Sequence, residues 1–210
     1  MVTARCHDES AMLGRMTDIA LFHPSMGVRP GVLDAAERLR AAGHRVLVVD
    51  QYEGRVFDDY AAANEFVDQI GFPELMRRAE AAVRELPDGF IAAGFSNGAG
   101  MAEHVATRRS CGGVLLFSGT LPLKFLAVDA WPSGVPTQIH YMRDDPHRSP
   151  EWTDLLAADI RAAGAPLEVF EYPGTGHLFT DSGLPDEYDA AATDLLWSRT
   201  LRFCETSLSS

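Results

Sequence analysis

The sequence predicts an α/β fold, with a mainly parallel sheet of about six to eight strands and helices on both faces. Six short, mostly apolar runs alternate with longer stretches in which apolar residues recur at helical spacing. Turn residues such as glycine, proline and aspartate separate the two kinds of segment. Alternation of this kind is typical of βαβ units, in which a helix connects two parallel strands.

The first third of the chain predicts two strands and one helix. Residues 19–22 form a short apolar run that ends at a His-Pro pair, and we interpret this run as the first strand. Apolar residues recur at helical spacing over 32–42 and Gly43 follows, which predicts a helix that ends there. Residues 46–49 predict the second strand. Residues 51–71 are aromatic, acidic and irregular, and predict a long loop with a short helix.

The remaining two thirds of the chain continue the alternation. Further strands are predicted at 90–93, 114–117, 137–141 and 167–172. Further helices are predicted at 75–86, 98–108, 152–164 and 186–206. The stretch 118–136 carries three prolines and two glycines, and we interpret it as a long connection within one domain.

The length of 210 residues fits a single domain, which we place at residues 17–210. Residues 1–16 carry charges and lack an apolar core of signal-peptide length, so we interpret them as a disordered or non-native extension. Met12 and Met16 are both available as alternative starts. No apolar run is long enough to span a membrane, and the protein is predicted to be cytoplasmic.

The composition argues against several classes of partner and cofactor. Apolar residues make up 46% of the chain and charged residues 23%, a balance typical of globular proteins. The formal net charge of −12 would repel a phosphate backbone, so no nucleic-acid partner is expected. The 3 cysteines are widely spaced, which predicts neither a zinc site nor a disulfide framework. No metal or other cofactor is expected.

The segment 94–98 reads GFSNG and matches the pattern G-x-S-x-G. An apolar strand precedes it and an alanine-rich helix follows, which is the setting of a nucleophile elbow. Glycines are needed in this turn because a Cβ would collide with neighbouring elements. The turn would present the Ser96 hydroxyl at the carboxyl ends of the strands. It would also place the Asn97 N–H at a helix N-terminus, where developing negative charge is stabilised.

A serine nucleophile needs a base, and in this arrangement the chain order is Ser, acid, His. Four of the seven histidines follow Ser96, namely His104, His140, His147 and His177. His177 follows the last predicted strand in the turn PGTGH, where it could reach the serine. His104 lies in a helix, His140 in a strand where packing is expected, and His147 in the place expected for the acid.

The acid is expected after the strand 137–141, where Asp144 and Asp145 both qualify. A buried carboxylate there would fix the imidazole tautomer and stabilise the imidazolium. The spacing alone does not choose between the two aspartates.

The second oxyanion donor is expected from the loop after the first strand, which reads HPSMG. Either Ser25 or Met26 could supply a backbone N–H. His23 could face the pocket or pack against the sheet.

Aromatic residues of the segment 51–71 could line an apolar acyl site or cover the edge of the sheet. They are Tyr52, Phe57, Tyr60 and Phe66, of which Phe66 is the best candidate for packing. The three tryptophans, Trp131, Trp152 and Trp197, are expected to pack rather than to contact a ligand.

These residues resemble the dienelactone hydrolase family of α/β-hydrolases over about residues 19–208. The similar segments are HPSMGVRPG, AAGHRVLVVDQYEG, GFSNGAG, QIHYMRDDP, YPGTGHLFTD and the closing helix. The resemblance implies the α/β-hydrolase fold and a Ser96–Asp145–His177 triad. It also implies Asp145 rather than Asp144 as the acid, and Ser25 as the source of the second oxyanion N–H.

Three departures from the family bear on the substrate. Dienelactone hydrolases proper use a cysteine nucleophile, whereas this chain has Ser96, a weaker acid that depends more on its base. An arginine that binds the substrate carboxylate in the family falls at Asp181, where a carboxylate would repel an anionic substrate. The family's acidic residue in the oxyanion loop falls at Pro24. These departures argue against dienelactone itself as the substrate.

The sequence therefore predicts a serine hydrolase, monomeric or homodimeric, that cleaves a small carboxylic ester or lactone through an acyl-enzyme. The alternative is a catalytically degenerate member of the fold that binds a ligand or partner. A flavodoxin-like binding or redox module is a third interpretation. It would need a phosphate-binding glycine loop, and neither of the usual loop patterns is present.

Overall fold

The computed structural model describes residues 16–206, which contain one sheet of six parallel strands. The strands are β1 Asp18–Phe22, β2 Arg45–Val49, β3 Phe90–Phe95, β4 Cys111–Phe117, β5 Thr137–Met142 and β6 Leu167–Tyr172. Their order across the sheet is β2-β1-β3-β4-β5-β6. The predicted α/β fold with a mainly parallel sheet is confirmed, with a strand number at the lower end of the expected range.

Six α-helices connect or follow these strands in the described part of the chain. They are α1 Pro30–Ala41, α2 Tyr60–Ile70, α3 Phe72–Ala82, α4 Asn97–Ala106, α5 Pro150–Ala162 and α6 Ala190–Thr206. A proline opens α1 and another opens α5, where a missing N–H costs no helical hydrogen bond. The Ser149 side chain caps α5 by accepting from the Trp152 N–H.

The core lies on both faces of the sheet because side chains alternate along each strand. In β1, Ile19 and Leu21 pack on the face covered by α1 and α6. Ala20 and Phe22 pack on the opposite face, against residues of α3, α4 and α5. All four side chains are fully buried, as expected for a central parallel strand.

The strand order reverses between β1 and β3, since the chain runs from β1 outward to β2 and then returns to the other side of β1. At such a point the loops after the two central strands diverge and leave a crevice at their carboxyl ends. The loop after β1 contains Ser25 and the turn after β3 contains Ser96. The topology therefore places the predicted oxyanion loop and the predicted nucleophile beside one crevice.

Some element boundaries differ from the predicted ones. The segment 51–71 contains the 11-residue helix α2. Asp59 precedes the helix, and its side chain caps it by accepting a hydrogen bond from the Ala62 N–H. The predicted helix 75–86 begins earlier, at Phe72, because Gly71 and Pro73 form a helix start. The predicted helix 186–206 begins later, at Ala190. Asp189 accepts from the Ala192 N–H at 2.9 Å and so precedes the first turn.

The predicted extension 1–16 lies outside the described residues apart from Met16, which is exposed. Within residues 16–206, no helix is both long enough and apolar enough to cross a membrane. Two of the three cysteines, Cys111 and Cys204, are described, and both are buried free thiols. Burial raises the pKa of each thiol to about 12, so neither is a thiolate nucleophile at neutral pH.

Candidate active site

Ser96 occupies a strained turn between β3 and α4. Its backbone φ is 50°, in the left-handed region that residues with a side chain rarely adopt. A Cβ at Gly94 would lie 2.0 Å from the Gly98 carbonyl oxygen, and one at Gly98 would lie 2.5 Å from the His23 carbonyl oxygen. The predicted need for glycine at both positions is therefore confirmed.

Three loops bring Ser96, His177 and Asp145 into contact. The Nε2 atom of His177 lies 2.7 Å from Ser96 Oγ, and its Nδ1 atom lies 2.7 Å from Asp145 Oδ2. A carboxylate only accepts hydrogen bonds, so Nδ1–H donates to Asp145 and Nε2 is left to accept from the serine hydroxyl. The histidine and the aspartate are buried. This is the hydrogen-bonded chain that activates a serine for nucleophilic attack.

The structure separates the two aspartates that the sequence left open. Asp145 is buried, and its second oxygen accepts from the His147 N–H at 2.8 Å. Asp144 is exposed, and its backbone N–H donates to the Gly174 carbonyl. Of the two aspartates, Asp145 is the one hydrogen-bonded to the imidazole of His177, as the family resemblance implies.

Two other histidines after Ser96, His140 and His104, have hydrogen-bond partners elsewhere. His140 is fully buried in β5, where its ring nitrogens lie 2.8 Å from Tyr172 Oη and 3.0 Å from Gln138 Oε1. Burial lowers the pKa of His140 to about 3, so it is a neutral packed residue, as predicted. His104 packs in α4 against Glu80, 2.7 Å from its carboxylate.

His23 packs against the sheet rather than facing the pocket. The side chain is fully buried, Nδ1 donates to the Pro24 carbonyl at 2.7 Å and Nε2 accepts from the Gln51 N–H at 3.1 Å. Its ring meets Tyr52 edge-on, with 4.4 Å between centroids. Burial lowers the pKa of His23, which favours the neutral ring that both hydrogen bonds require. His23 therefore supports the loop that contains Ser25.

The candidate oxyanion donors are the backbone N–H groups of Asn97 and Ser25. Within residues 16–206, neither group donates a hydrogen bond to the protein. Asn97 is the first residue of α4, where the helix dipole favours negative charge. Ser25 lines the same cavity as Ser96, whereas the Met26 side chain is buried in the core. Both candidate donor residues therefore line the cavity that contains Ser96.

A cavity of about 240 Å³ opens above Ser96. Besides Ser96, Asp145 and His177, its polar lining includes Ser25, Tyr60, Asn97, Ser118, His147 and Arg148. Apolar lining residues include Val67, Phe72, Leu121 and Trp152. The cavity is therefore a mixed polar and apolar site that opens to solvent above Ser96.

Of the four aromatic residues in the segment 51–71, only Tyr60 lines the cavity. Tyr52, Phe57 and Phe66 pack against one another, with ring centroids 5.1 to 6.4 Å apart. Tyr60 donates to Glu187 at 2.8 Å, and Glu187 also accepts from the Leu178 N–H. Burial and this carboxylate raise the pKa of Tyr60, so the hydroxyl stays protonated. Tyr60 thus connects α2 to the loop that contains His177.

The expectation that all three tryptophans serve packing was wrong for Trp152. Trp131 and Trp197 are buried, but Trp152 is partly exposed and lines the cavity. It lies in the first turn of α5, directly after the loop of Asp145. That proximity to the acid is the signal in the sequence that could have identified it. His147 and Arg148, from the same loop, were likewise not predicted as cavity residues.

The expectation that Asp181 repels an anionic substrate is also wrong. Asp181 is buried, does not line the cavity above Ser96, and forms an ion pair of 2.8 Å with Arg29. Its other oxygen accepts from the backbone N–H groups of Gly31 and Gly183. Asp181 follows the turn over 177–180, and its carboxylate contacts Arg29 and Gly31 at the start of α1.

Comparisons with known proteins identify the family of this chain. The family model described as "Dienelactone hydrolase family" matches residues 7–208. A search of the curated proteins finds no match.

Solved structures share the fold. A dienelactone hydrolase-like promiscuous phosphotriesterase from metagenomic libraries has a TM-score of 0.75 at 22% identity, covering 94% of this chain and 88% of its own. An alpha/beta hydrolase enzyme from a Medee basin deep-sea metagenome library has a TM-score of 0.70 at 15% identity, with coverages of 98% and 90%. Esterase 2 of Thermogutta terrifontis, phosphonylated by cyclosarin, has a TM-score of 0.62 at 17% identity, with coverages of 96% and 85%. The chain belongs to the dienelactone hydrolase family and is a hydrolase that acts on ester bonds.

Proposed function

We propose that the protein is a serine hydrolase that cleaves a small carboxylic ester or lactone through an acyl-enzyme. The observation that carries this proposal is the chain of two 2.7 Å contacts from Ser96 Oγ through His177 to Asp145. Both described cysteines are buried away from the cavity, which supports serine rather than cysteine as the nucleophile.

In the first half of the reaction, Ser96 Oγ attacks the carbonyl carbon of the substrate while its proton moves to His177 Nε2. Asp145 stabilises the imidazolium that forms, because its carboxylate already accepts from Nδ1–H at 2.7 Å. The carbonyl oxygen becomes an oxyanion held by the N–H groups of Asn97 and Ser25. When the tetrahedral intermediate collapses, the bond to the alkoxy group breaks and His177 returns its proton to the departing alcohol.

In the second half, a water molecule takes the place of the alcohol. His177 removes a proton from this water, which attacks the acyl carbonyl and forms a second oxyanion at the same donors. Collapse of that intermediate releases the carboxylic acid and restores the Ser96 hydroxyl. For a lactone, both products are parts of one hydroxy acid, so a single molecule leaves the site.

The cavity favours a small substrate. Its volume of about 240 Å³ lies just below the roughly 300–1,000 Å³ typical of sites for drug-sized ligands. Since Asp181 is paired with Arg29 outside the cavity, it does not exclude a substrate that carries a negative charge. His147 and Arg148 are the basic residues of the lining besides His177.

The test compares the wild type with Ser96→Ala on p-nitrophenyl acetate and a panel of lactones. The variant should lose at least about a thousandfold in kcat while its unfolding midpoint stays close to that of the wild type. A fluorophosphonate probe should label wild-type Ser96 and leave the variant unlabelled. Equal turnover by the two proteins would refute the proposal. Absence of both turnover and labelling in folded protein would favour a degenerate, ligand-binding member of the fold.

A further inference from the structure

Three aromatic side chains lie exposed at and beside the mouth of the cavity. Phe72, at the start of α3, is 44% exposed, and Trp152, in the first turn of α5, is 37% exposed. Phe125, in the short 3-10 helix Leu123–Leu126, is 50% exposed and packs against Trp152 with 5.3 Å between ring centroids. We call Phe72, Phe125 and Trp152 the aromatic shelf.

The aromatic shelf continues the apolar part of the cavity outward. Phe72 and Trp152 both line the cavity, together with Val67 and Leu121. Phe125 extends this surface beyond the cavity through its contact with Trp152. The ammonium group of Lys124 lies 5.2 Å from the Phe125 ring centroid, so the apolar surface ends there in a positive charge.

Exposed aromatic rings that adjoin an active-site cavity call for a functional explanation. Single exposed apolar residues are ordinary on protein surfaces, but contiguous exposed apolar groups mark binding sites. Aromatic rings are well suited to this role because each offers a large, rigid apolar area and specific ring-stacking geometry. The cavity volume of about 240 Å³ is also smaller than the roughly 300–1,000 Å³ typical of sites that enclose drug-sized ligands. One half of a larger ester would have to leave the cavity at its mouth.

We propose that the aromatic shelf binds an apolar group of the substrate that protrudes from the cavity, so that the natural substrates are esters or lactones carrying an alkyl chain or an aromatic ring. This inference rests on the proposed function of Ser96. The reacting carbonyl lies at Ser96 and a compact part of the substrate fills the cavity. The protruding group, on either the acyl or the alcohol side, covers Trp152 and Phe125.

Two series of substrates test the proposal and show whether the protruding group lies on the acyl or the alcohol side of the ester. The first keeps p-nitrophenol as the alcohol and lengthens the acyl group from acetate through butyrate to hexanoate. The second keeps the acetyl group and changes the alcohol from methyl to butyl and benzyl. In one of the series, the wild-type kcat/KM should rise about twofold to fourfold per added methylene, the range for partial to full burial.

Trp152→Ala should flatten this rise, because the added methylenes lose the indole surface against which they pack. Phe125→Ala should remove part of the rise, and Trp152→Phe should restore most of it. Leu195→Ala is the matched control, since Leu195 is 46% exposed in α6 and does not line the cavity. Its chain-length dependence should equal that of the wild type.

A binding measurement does not require turnover. If the acyl series shows the rise, the Ser96→Ala variant should bind p-nitrophenyl hexanoate at least fourfold more tightly than p-nitrophenyl acetate. If the alcohol series shows it, the variant should bind butyl or benzyl acetate at least fourfold more tightly than methyl acetate. Adding Trp152→Ala should abolish this difference. Wild-type and Trp152→Ala proteins with the same chain-length dependence in both series, and the same binding ratios, would overturn the proposal.

The remaining outcomes separate this inference from the proposed function. If Ser96→Ala hydrolyses the esters as fast as the wild type, the proposed function itself fails. If turnover depends on Ser96 but not on chain length, only the aromatic shelf is refuted. If Trp152→Ala changes the sedimentation coefficient and not the chain-length dependence, the surface is an interface between copies of the chain, and the proposal is again overturned.

Discussion

Arg29 and Asp181 form a buried ion pair, with 2.8 Å between the guanidinium Nε and the carboxylate Oδ2. Arg29 precedes α1, directly after the loop of Ser25, and Asp181 follows the turn that begins at His177. The same guanidinium donates to the carbonyl oxygens of Phe57 and Gly183. The pair therefore joins the loops that carry the candidate oxyanion donor and the candidate base.

Breaking this ion pair should destabilise the protein. Arg29→Met leaves the Asp181 carboxylate buried without its cation, and we expect a loss of about 3–5 kcal/mol in the free energy of unfolding. Urea denaturation measures it, and the double variant with Asp181→Asn should lose less than the two single variants combined. Arg40→Met is the control, because its pair with Glu37 is exposed. That variant should change stability by at most about 0.5 kcal/mol. Equal losses for Arg29→Met and Arg40→Met would contradict the prediction.

The two neighbouring aspartates offer a matched test of the acid. Asp145→Asn keeps the shape of the side chain, but its amide can donate to His177 and favour the wrong tautomer. We expect kcat to fall about ten-thousandfold. Asp144→Asn should leave kcat within about twofold, because Asp144 is exposed and does not contact the imidazole. Steady-state kinetics on one activated ester measures both. A comparable loss for the two variants would show that the carboxylate of Asp145 has no special role.

Ser118 is a second strained residue beside Ser96. It lines the cavity at the end of β4 with φ at 55°, and its backbone N–H donates to the His140 carbonyl. Ser118→Gly should raise the free energy of unfolding by about 0.5–1 kcal/mol, because glycine adopts this conformation without a Cβ clash. It should also lower kcat/KM, because the cavity wall beside Ser96 loses its hydroxyl and its rigidity.

Two alanines provide the controls for Ser118→Gly. Ala127 also has a positive φ of 54° but does not line the cavity, so Ala127→Gly should stabilise the protein without changing kcat/KM. Ala158 is exposed in α5, where Ala158→Gly should cost about 0.5–1 kcal/mol. Thermal and urea unfolding measure the stabilities. If Ser118→Gly destabilises as Ala158→Gly does, the strain argument is wrong.

Glu103 should make stability depend on pH. The side chain is fully buried in α4, and within residues 16–206 its oxygens accept only from the Leu121 N–H, at 3.0 and 3.2 Å. Burial raises the pKa of Glu103 well above its usual value, so the folded state holds this proton at pH values where the unfolded chain releases it. The contribution of Glu103 to the free energy of unfolding is complete below the ordinary pKa of glutamate, and it declines as the pH rises toward the folded-state pKa.

Glu103→Gln removes this titration and keeps an oxygen that accepts from the Leu121 N–H. Relative to the wild type, the variant should therefore gain stability as the pH is raised from 5 to 9. Urea denaturation at several pH values measures the difference in the free energy of unfolding between the two proteins. Because all other titrating groups are the same in both proteins, their contributions cancel in this difference. A difference that stays constant over this range, or that falls, would contradict the raised pKa.

The order of apolar runs and helical segments was enough to predict the parallel sheet, because local periodicity and turn chemistry act within a few residues. The elbow could be predicted for the same reason, since Gly94, Ser96 and Gly98 lie within one turn. The position of His177 followed from the rule that parallel strands end at a common edge of the sheet. The choice of Asp145 over Asp144 needed the family resemblance, because spacing treats both alike.

Other features depend on contacts between segments far apart in the chain, which no local pattern reports. The sequence predicted that Asp181 faces the substrate, but in the fold its carboxylate is paired with Arg29, 152 positions earlier. Trp152 was expected to pack, because its position in a helix does not indicate that the start of this helix borders the cavity. The sequence alone therefore determined the architecture and predicted the candidate reacting groups, apart from the choice between the two aspartates. The tertiary structure decided which charges are neutralised and which surfaces meet the substrate, because burial and pairing arise only when distant segments pack together.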